Sequence, residues 1–214
     1  MLERQAAWPD AALDERTAVI ALIDYGAGNL TSVRKALAAV KAPFFVPVAP
    51  ADLEGASGIV IPGVGHFAAT RAITEPWRTA ILASVERRTP LLGICLGLQY
   101  LFEGSDEAPD LAGLGLLAGR CQRLPPSVKV PHVGWNALST RRRSLVLNGI
   151  RDATQVYFTH SYAAPITRAA VSTTEHGARF ASAVEQDRVS GVQFHPEKSG
   201  DPGLAILRNF VALC

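Results

Sequence analysis

Along the first half of the chain, short unbroken apolar runs alternate with stretches of helical periodicity. Residues 18–23 read AVIALI and stop at Asp24-Tyr25-Gly26, as expected of a strand buried on both faces of a parallel sheet. Residues 30–40 place Leu30, Val33, Leu37 and Val40 on one stripe, with Asn29 in position to cap a helix. Residues 44–48 and 58–61 read as the next two strands, the second ending in Pro62-Gly63-Val64-Gly65. Helical periodicity returns over residues 66–86, where Pro76 is expected to divide it into two pieces. Residues 90–94 form another buried strand, and a helix opens directly behind Cys95.

From about Gly119 the pattern changes to short extended runs at residues 128–130, 156–159, 169–173 and 180–184. Residues 189–194 form the last predicted strand, and residues 203–213 carry Leu204, Leu207, Phe210 and Val211 on an amphipathic terminal helix. Alternating strands and helices followed by consecutive strands predict an α/β fold on a mixed sheet.

The sharpest local signal is Gly93-Ile94-Cys95-Leu96-Gly97. It sets a cysteine between two glycines where a strand meets a helix, which is a nucleophile elbow with Cys in place of Ser. The tight turn strains the central residue, and small neighbours let the backbone pass closely. The helix N-terminus favours thiolate over thiol, and the Leu96 N–H is a natural oxyanion donor. Alone, Cys95 reads equally well as a small buried core residue. The balance moves with His195-Pro196-Glu197, which follows the last strand. In extended chain, residues i and i+2 project to one side, so Glu197 can reach the His195 ring. His195 then takes the thiol proton and Glu197 orients the imidazole.

Composition removes competing classes. The chain has 214 residues, 48% of them hydrophobic and 19% charged, enough to bury a full core in one domain. A net charge of +2 predicts neither nucleic-acid nor membrane binding. The run Arg141-Arg142-Arg143 lacks interleaved aromatics and reads as a solvated loop. Three widely spaced cysteines, Cys95, Cys121 and Cys214, suggest a reducing compartment. Residues 1–17 lack a continuous apolar core and read as a mobile extension, and no run approaches the roughly 20 apolar residues of a membrane span. A cytoplasmic protein is expected. Gly26-Ala27-Gly28-Asn29-Leu30-Thr31 lacks the third glycine of a dinucleotide fingerprint. The five histidines form no H-x-H or H-E-x-x-H pair, so neither cofactor nor metal is expected.

The elbow GICLG with Gln99 behind it, together with the late H-P-E, resembles class I glutamine amidotransferase domains. Within that group IDYGAGNL (residues 23–30), PGVGHF (62–67), PHVGWN (131–136), HSY (160–162) and GVQFHPEKS (191–199) are similar to the glutaminase subunits of imidazole glycerol phosphate synthases. The resemblance covers residues 18–214 and implies a three-layer domain on a central, mostly parallel mixed sheet. It implies attack by Cys95 on the side-chain amide of glutamine, with ammonia passed to a barrel-shaped cyclase subunit, the partner in a heterodimer serving histidine biosynthesis.

The resemblance further implies a second oxyanion N–H from Val64 beside that of Leu96. It implies substrate contacts from Gly63, Gly65, Gln99, Ser161 and Tyr162, and a partner interface at Asn29, Trp135 and Lys198. Thr159 stands where an aliphatic residue is more usual. The rival readings are a glutaminase serving a different synthase, a non-catalytic scaffold, and a general cysteine hydrolase or stress-response protein on a similar sheet. The scaffold reading expects loss of Cys95, His195 or Glu197, and all three are present.

Overall fold

The structure, a computed structural model, describes residues 18–214; the extension expected over residues 1–17 lies outside them. The first half of the fold runs β1 (Ile20–Leu22), α1 (Leu30–Ala39), β2 (Phe44–Phe45), β3 (Gly58–Ile61), α2 (Glu75–Glu86), β4 (Leu91–Ile94), α3 (Leu96–Leu101) and β5 (Phe102–Ser105). The second continues with β6 (Leu117–Arg123), β7 (His132–Ala137), β8 (Ser139–Thr140), β9 (Gln155–His160), β10 (Tyr162–Ala163), β11 (Ala170–His176), β12 (Ala178–Gln186), β13 (Val189–Val192) and α4 (Gly200–Val211).

Eight strands form the central sheet in the order β2-β1-β3-β4-β13-β12-β11-β8. The pairings from β2 to β13 are parallel, and those from β13 to β8 are antiparallel. Side-chain alternation sends successive residues to opposite faces. Ile20, Leu22, Val60, Leu92 and Ile94 therefore meet α1, α4 and the β7–β9 ribbon. Ala21, Ile59, Ile61 and Leu91 meet α2, α3 and the three-stranded sheet β10-β6-β5. Every one of these sheet residues is buried.

Most local expectations hold. Asn29 caps α1, its side chain accepting the Ser32 N–H at 3.2 Å, and Val33 and Leu37 are buried beneath the sheet. Three expectations need correction. The second strand is only Phe44–Phe45, because Pro47 cannot donate to a ladder and the chain leaves the sheet before Val48. Residues 128–130 form no strand but bends at Val128 and Val130, confined between Pro125-Pro126 and Pro131. Pro76 does not divide the periodic stretch. It sits in the first turn of α2, where a missing N–H is harmless, and the break falls between the 3-10 helix Phe67–Ala72 and Thr74.

Parallel pairing positions the chemistry. Ile61 pairs with Gly93 and Gly191 with Gly93, so the chain leaving β3, β4 and β13 emerges on one edge of the sheet. That edge carries Gly63-Val64-Gly65, Cys95 and His195, at the carboxyl ends where open α/β sheets bind ligands.

Candidate active site

Cys95 occupies the elbow between β4 and α3 at φ +52° and ψ −103°, a conformation costly for any residue with a Cβ. It is held there by its own N–H, which donates to the Val192 carbonyl at 2.8 Å, and by its carbonyl, which accepts the Gln99 N–H at 3.1 Å. The flanking glycines are required by contact. A Cβ on Gly97 would stand 1.8 Å from the Ile61 carbonyl oxygen, and one on Gly93 would stand 2.6 Å from the Gly97 backbone. The thiol points toward the Thr159 carbonyl at 3.8 Å, and Gln193 Nε2 approaches the sulfur at 3.6 Å.

His195 is fixed by its N–H on the Tyr157 carbonyl at 2.8 Å, and its carbonyl accepts the Ser199 hydroxyl at 2.6 Å. Its Nδ1 lies 2.8 Å from Glu197 Oε1, with both side chains buried. Nε2, the nitrogen left for Cys95, has no partner of hydrogen-bonding geometry among the described residues. Burial opposes a charge on this ring, but the nearby Cys95 thiolate and the Glu197 carboxylate outweigh it and hold its pKa well above the usual value. The pair is thus arranged to accept and hold a proton from Cys95.

The cleft above Cys95 encloses about 250 Å³ and is lined by Gly65, Leu96, Gln99, Glu107, Thr159 and the 160–162 segment. Gly65 adopts φ +101°, open to glycine and rarely to other residues. Gly63 packs so closely beneath Tyr25 that a Cβ would stand 2.1 Å from the hydroxyl. Tyr25 is buried, its hydroxyl has no partner among the described residues, and burial, reinforced by Cys95, pushes its pKa far up. The expected oxyanion donors are not both presented. The Leu96 N–H donates to the Gly63 carbonyl at 3.4 Å, and a trans peptide then aims the Val64 N–H in the opposite direction.

Gln99 is buried rather than an exposed helix residue. Its Nε2 donates to the Tyr162 carbonyl at 2.8 Å and to Gln193 Oε1 at 3.3 Å. Ser161 and Tyr162 form the far wall, with the Ser161 carbonyl accepting the Leu124 N–H at 2.9 Å. Glu107, absent from the sequence reading, is the carboxylate of the cleft, with Oε2 accepting the Phe67 N–H at 2.7 Å. Nothing in its local sequence marks it. Gln193 was missed too, although strand alternation from His195 gives it the same side.

Among the residues expected at a partner interface, Trp135 is 57% exposed and meets the Tyr157 ring edge-on at 6.1 Å. Lys198 Nζ stands 5.7 Å from the Tyr157 ring centroid, so the two gather on one face. Asn29 is not part of this cluster, and its side chain is spent on capping α1.

Residues 21–214 match the family model of class I glutamine amidotransferases. The imidazole glycerol phosphate synthase subunit HisH of Methanothermobacter thermautotrophicus is 45% identical over 91% of this chain and 98% of its own length. That of Thermococcus kodakarensis is 47% identical, over 90% and 98% respectively. The solved structure of PurLQS from Thermotoga maritima superposes with a TM-score of 0.73 at 18% identity, over 92% of this chain and 98% of that one, a likeness of fold alone. The chain therefore belongs to the class I glutamine amidotransferases, in the family of imidazole glycerol phosphate synthase HisH subunits.

Proposed function

We propose that this chain is the glutaminase subunit of an imidazole glycerol phosphate synthase, with residues 18–214 as its amidotransferase domain. The observation that carries the reading is the strained Cys95 lining a cleft, opposite a buried His195–Glu197 pair. His195 takes the proton from Cys95 Sγ, and the thiolate attacks the side-chain amide carbon of glutamine. The tetrahedral intermediate collapses as His195 returns the proton to the departing nitrogen, releasing ammonia and leaving a glutamyl thioester. Water, deprotonated by His195, then attacks the thioester to give glutamate and free Cys95.

Oxyanion stabilisation requires the peptide joining Gly63 and Val64 to turn over. That movement releases the Leu96 N–H from the Gly63 carbonyl and brings the Val64 N–H round beside it. The observed conformation is thus a resting one. Glu107 is suited to pair with the substrate ammonium, and the backbone at Ser161 and Tyr162 to hold the amino-acid end beside Gln99.

The exposed face bearing Val133, Trp135, Tyr157 and Lys198 is the proposed docking surface for the cyclase. A heterodimer with the cyclase keeps ammonia out of water, where protonation would remove the lone pair it needs for attack. No helix among the described residues is long and apolar enough to cross a membrane, and a cytoplasmic location fits the reducing chemistry that Cys95 needs.

The deciding experiment measures glutamate formed from glutamine by the purified chain, alone and with the cyclase and its nucleotide ligand. Strong stimulation that disappears in Cys95→Ala is the expected result. Activity indifferent to the cyclase would assign the chain to another synthase, and none under any condition would leave a scaffold.

A further inference from the structure

From the cleft wall inward runs a chain of two histidines that the proposed chemistry leaves unused. The β7–β9 ladder sets His132 directly opposite His160, and both rings are buried. His132 Nδ1 lies 3.1 Å from His160 Nε2, and His160 Nδ1 lies 2.9 Å from the Tyr162 carbonyl. Asn136 Nδ2 lies 3.2 Å from His132 Nε2. Two ring nitrogens in contact do not by themselves say which donates.

Here both ends of the chain settle the direction. The Tyr162 carbonyl can only accept, so His160 carries its proton on Nδ1 and, in the neutral ring, accepts at Nε2. At the other end the Ala137 N–H donates to Asn136 Oδ1 at 2.8 Å. That contact turns the amide nitrogen toward the Glu175 carbonyl, 3.0 Å away, and toward His132 Nε2. His132 therefore accepts at Nε2 and donates from Nδ1. Every contact is satisfied only when both imidazoles are neutral and both hold the proton on Nδ1. Burial favours the neutral forms, lowering the pKa of His132 to about 4 and that of His160 to about 3.

The chain terminates on a carbonyl with a second donor. Gln99 Nε2 reaches the Tyr162 oxygen at 2.8 Å, so both lone pairs are engaged, and the 161–162 backbone that lines the cleft is clamped.

We propose that His132 is a positioning residue for substrate binding: by donating to His160 it locks that ring in the Nδ1–H tautomer and so holds the Tyr162 carbonyl and the cleft wall in place. The inference rests on the cleft being the glutamine site. Without the donor, His160 is free to place its proton on Nε2, and the bare Nδ1 then opposes the carbonyl it should bind.

Two measurements test it. Long-range proton–nitrogen NMR of the histidine side chains in the full wild-type chain needs no variant. The expected pattern is Nδ1–H for His132 and His160 but Nε2–H for His176, whose Nε2 lies 2.8 Å from the Lys129 carbonyl. An Nε2–H form of either His132 or His160 overturns the proposal. The second measurement is glutaminase kinetics with the cyclase present. His132→Phe keeps an aromatic ring stacked between Phe158 and His176 but cannot donate. It should raise KM about 3- to 10-fold with kcat within about twofold. His132→Asn puts an amide donor near the Nδ1 position and should return KM close to wild type. An unchanged KM in the Phe variant, or failure of Asn to rescue it, overturns the positioning role. A wild-type chain that hydrolyses no glutamine would sink the reading of the cleft and the substrate role with it, while the NMR pattern would still report the tautomers.

Discussion

Replacing Glu197 by Gln isolates what the carboxylate contributes to the His195 imidazolium. In the native protein Oε1 lies 2.8 Å from Nδ1 with both groups out of solvent. A hydrogen bond to a charged group in such a setting is worth about 1.5–3 kcal/mol, or roughly 10- to 150-fold in rate if realised only as the imidazolium forms. A second loss adds to it. A carboxamide that turns its nitrogen toward Nδ1 forces the proton onto Nε2, where His195 can no longer accept from Cys95. Together these losses place the expected fall in kcat at about 10²- to 10⁴-fold. KM should stay within about threefold, because neither oxygen of Glu197 faces the cleft. The assay is steady-state glutamate release with the cyclase bound. A defect confined to KM, with kcat intact, would refute the assignment. The stability comparison has a defined sign. The folded pKa of His195 is raised above its ordinary 6.5, so the pair stabilises the fold fully below that value and loses its effect as pH rises through the raised one. Glu197→Gln should therefore cost more stability near pH 6 than near pH 9 to 10, and the reverse trend would show that the proton is not on His195.

Gly97→Ala should cost at least about 3 kcal/mol, or roughly 6–12 °C in Tm, since its Cβ would stand 1.8 Å from the Ile61 carbonyl oxygen; calorimetry showing an unchanged Tm would mean that β3 and α3 separate readily. Tyr25→Phe should leave Tm unchanged or raised, because it removes a buried hydroxyl with no partner among the described residues. A loss of several degrees would reveal a partner for that oxygen. Trp135→Ala should shift stability by no more than about 0.5 kcal/mol, its side chain being largely in solvent, while lowering cyclase-stimulated glutaminase activity. Full stimulation in titrations with the cyclase would move the docking face elsewhere.

The central sheet was legible because burial on both faces leaves a simple trace. β1, β3, β4 and β13 are buried throughout; the first three read as short runs of apolar residues and glycine, and β13 is interrupted only by Ser190. The strands that escaped notice have one wet face or two. β6 buries only Leu117 and Cys121 of its seven residues, too few for periodicity to register. β7 reverses the usual rule: Val133 and Trp135 point outward and His132 points in. Reading for a core passes over such a strand, and its inverted polarity is the mark of a surface kept for something other than solvent.

At the site, the sequence speaks where chemistry demands a residue type and is silent where it demands only a place. Gly93, Cys95 and Gly97 are legible because a close backbone crossing tolerates few alternatives, and His195 and Glu197 because two residues of extended chain suffice to join them. Glu107 reaches the cleft across the fold, its carboxylate tied there by the Phe67 N–H. His132 and His160 are separated by 28 positions and meet through ladder register, which depends on every residue between β7 and β9. The resting oxyanion loop is less legible still. The Leu96 N–H is engaged by the Gly63 carbonyl, and the orientation of that one peptide leaves no trace in residue type. In the proposed function the turnover of that peptide is the step a docking partner would govern, since a few kcal/mol of differential binding is enough to invert a two-state population.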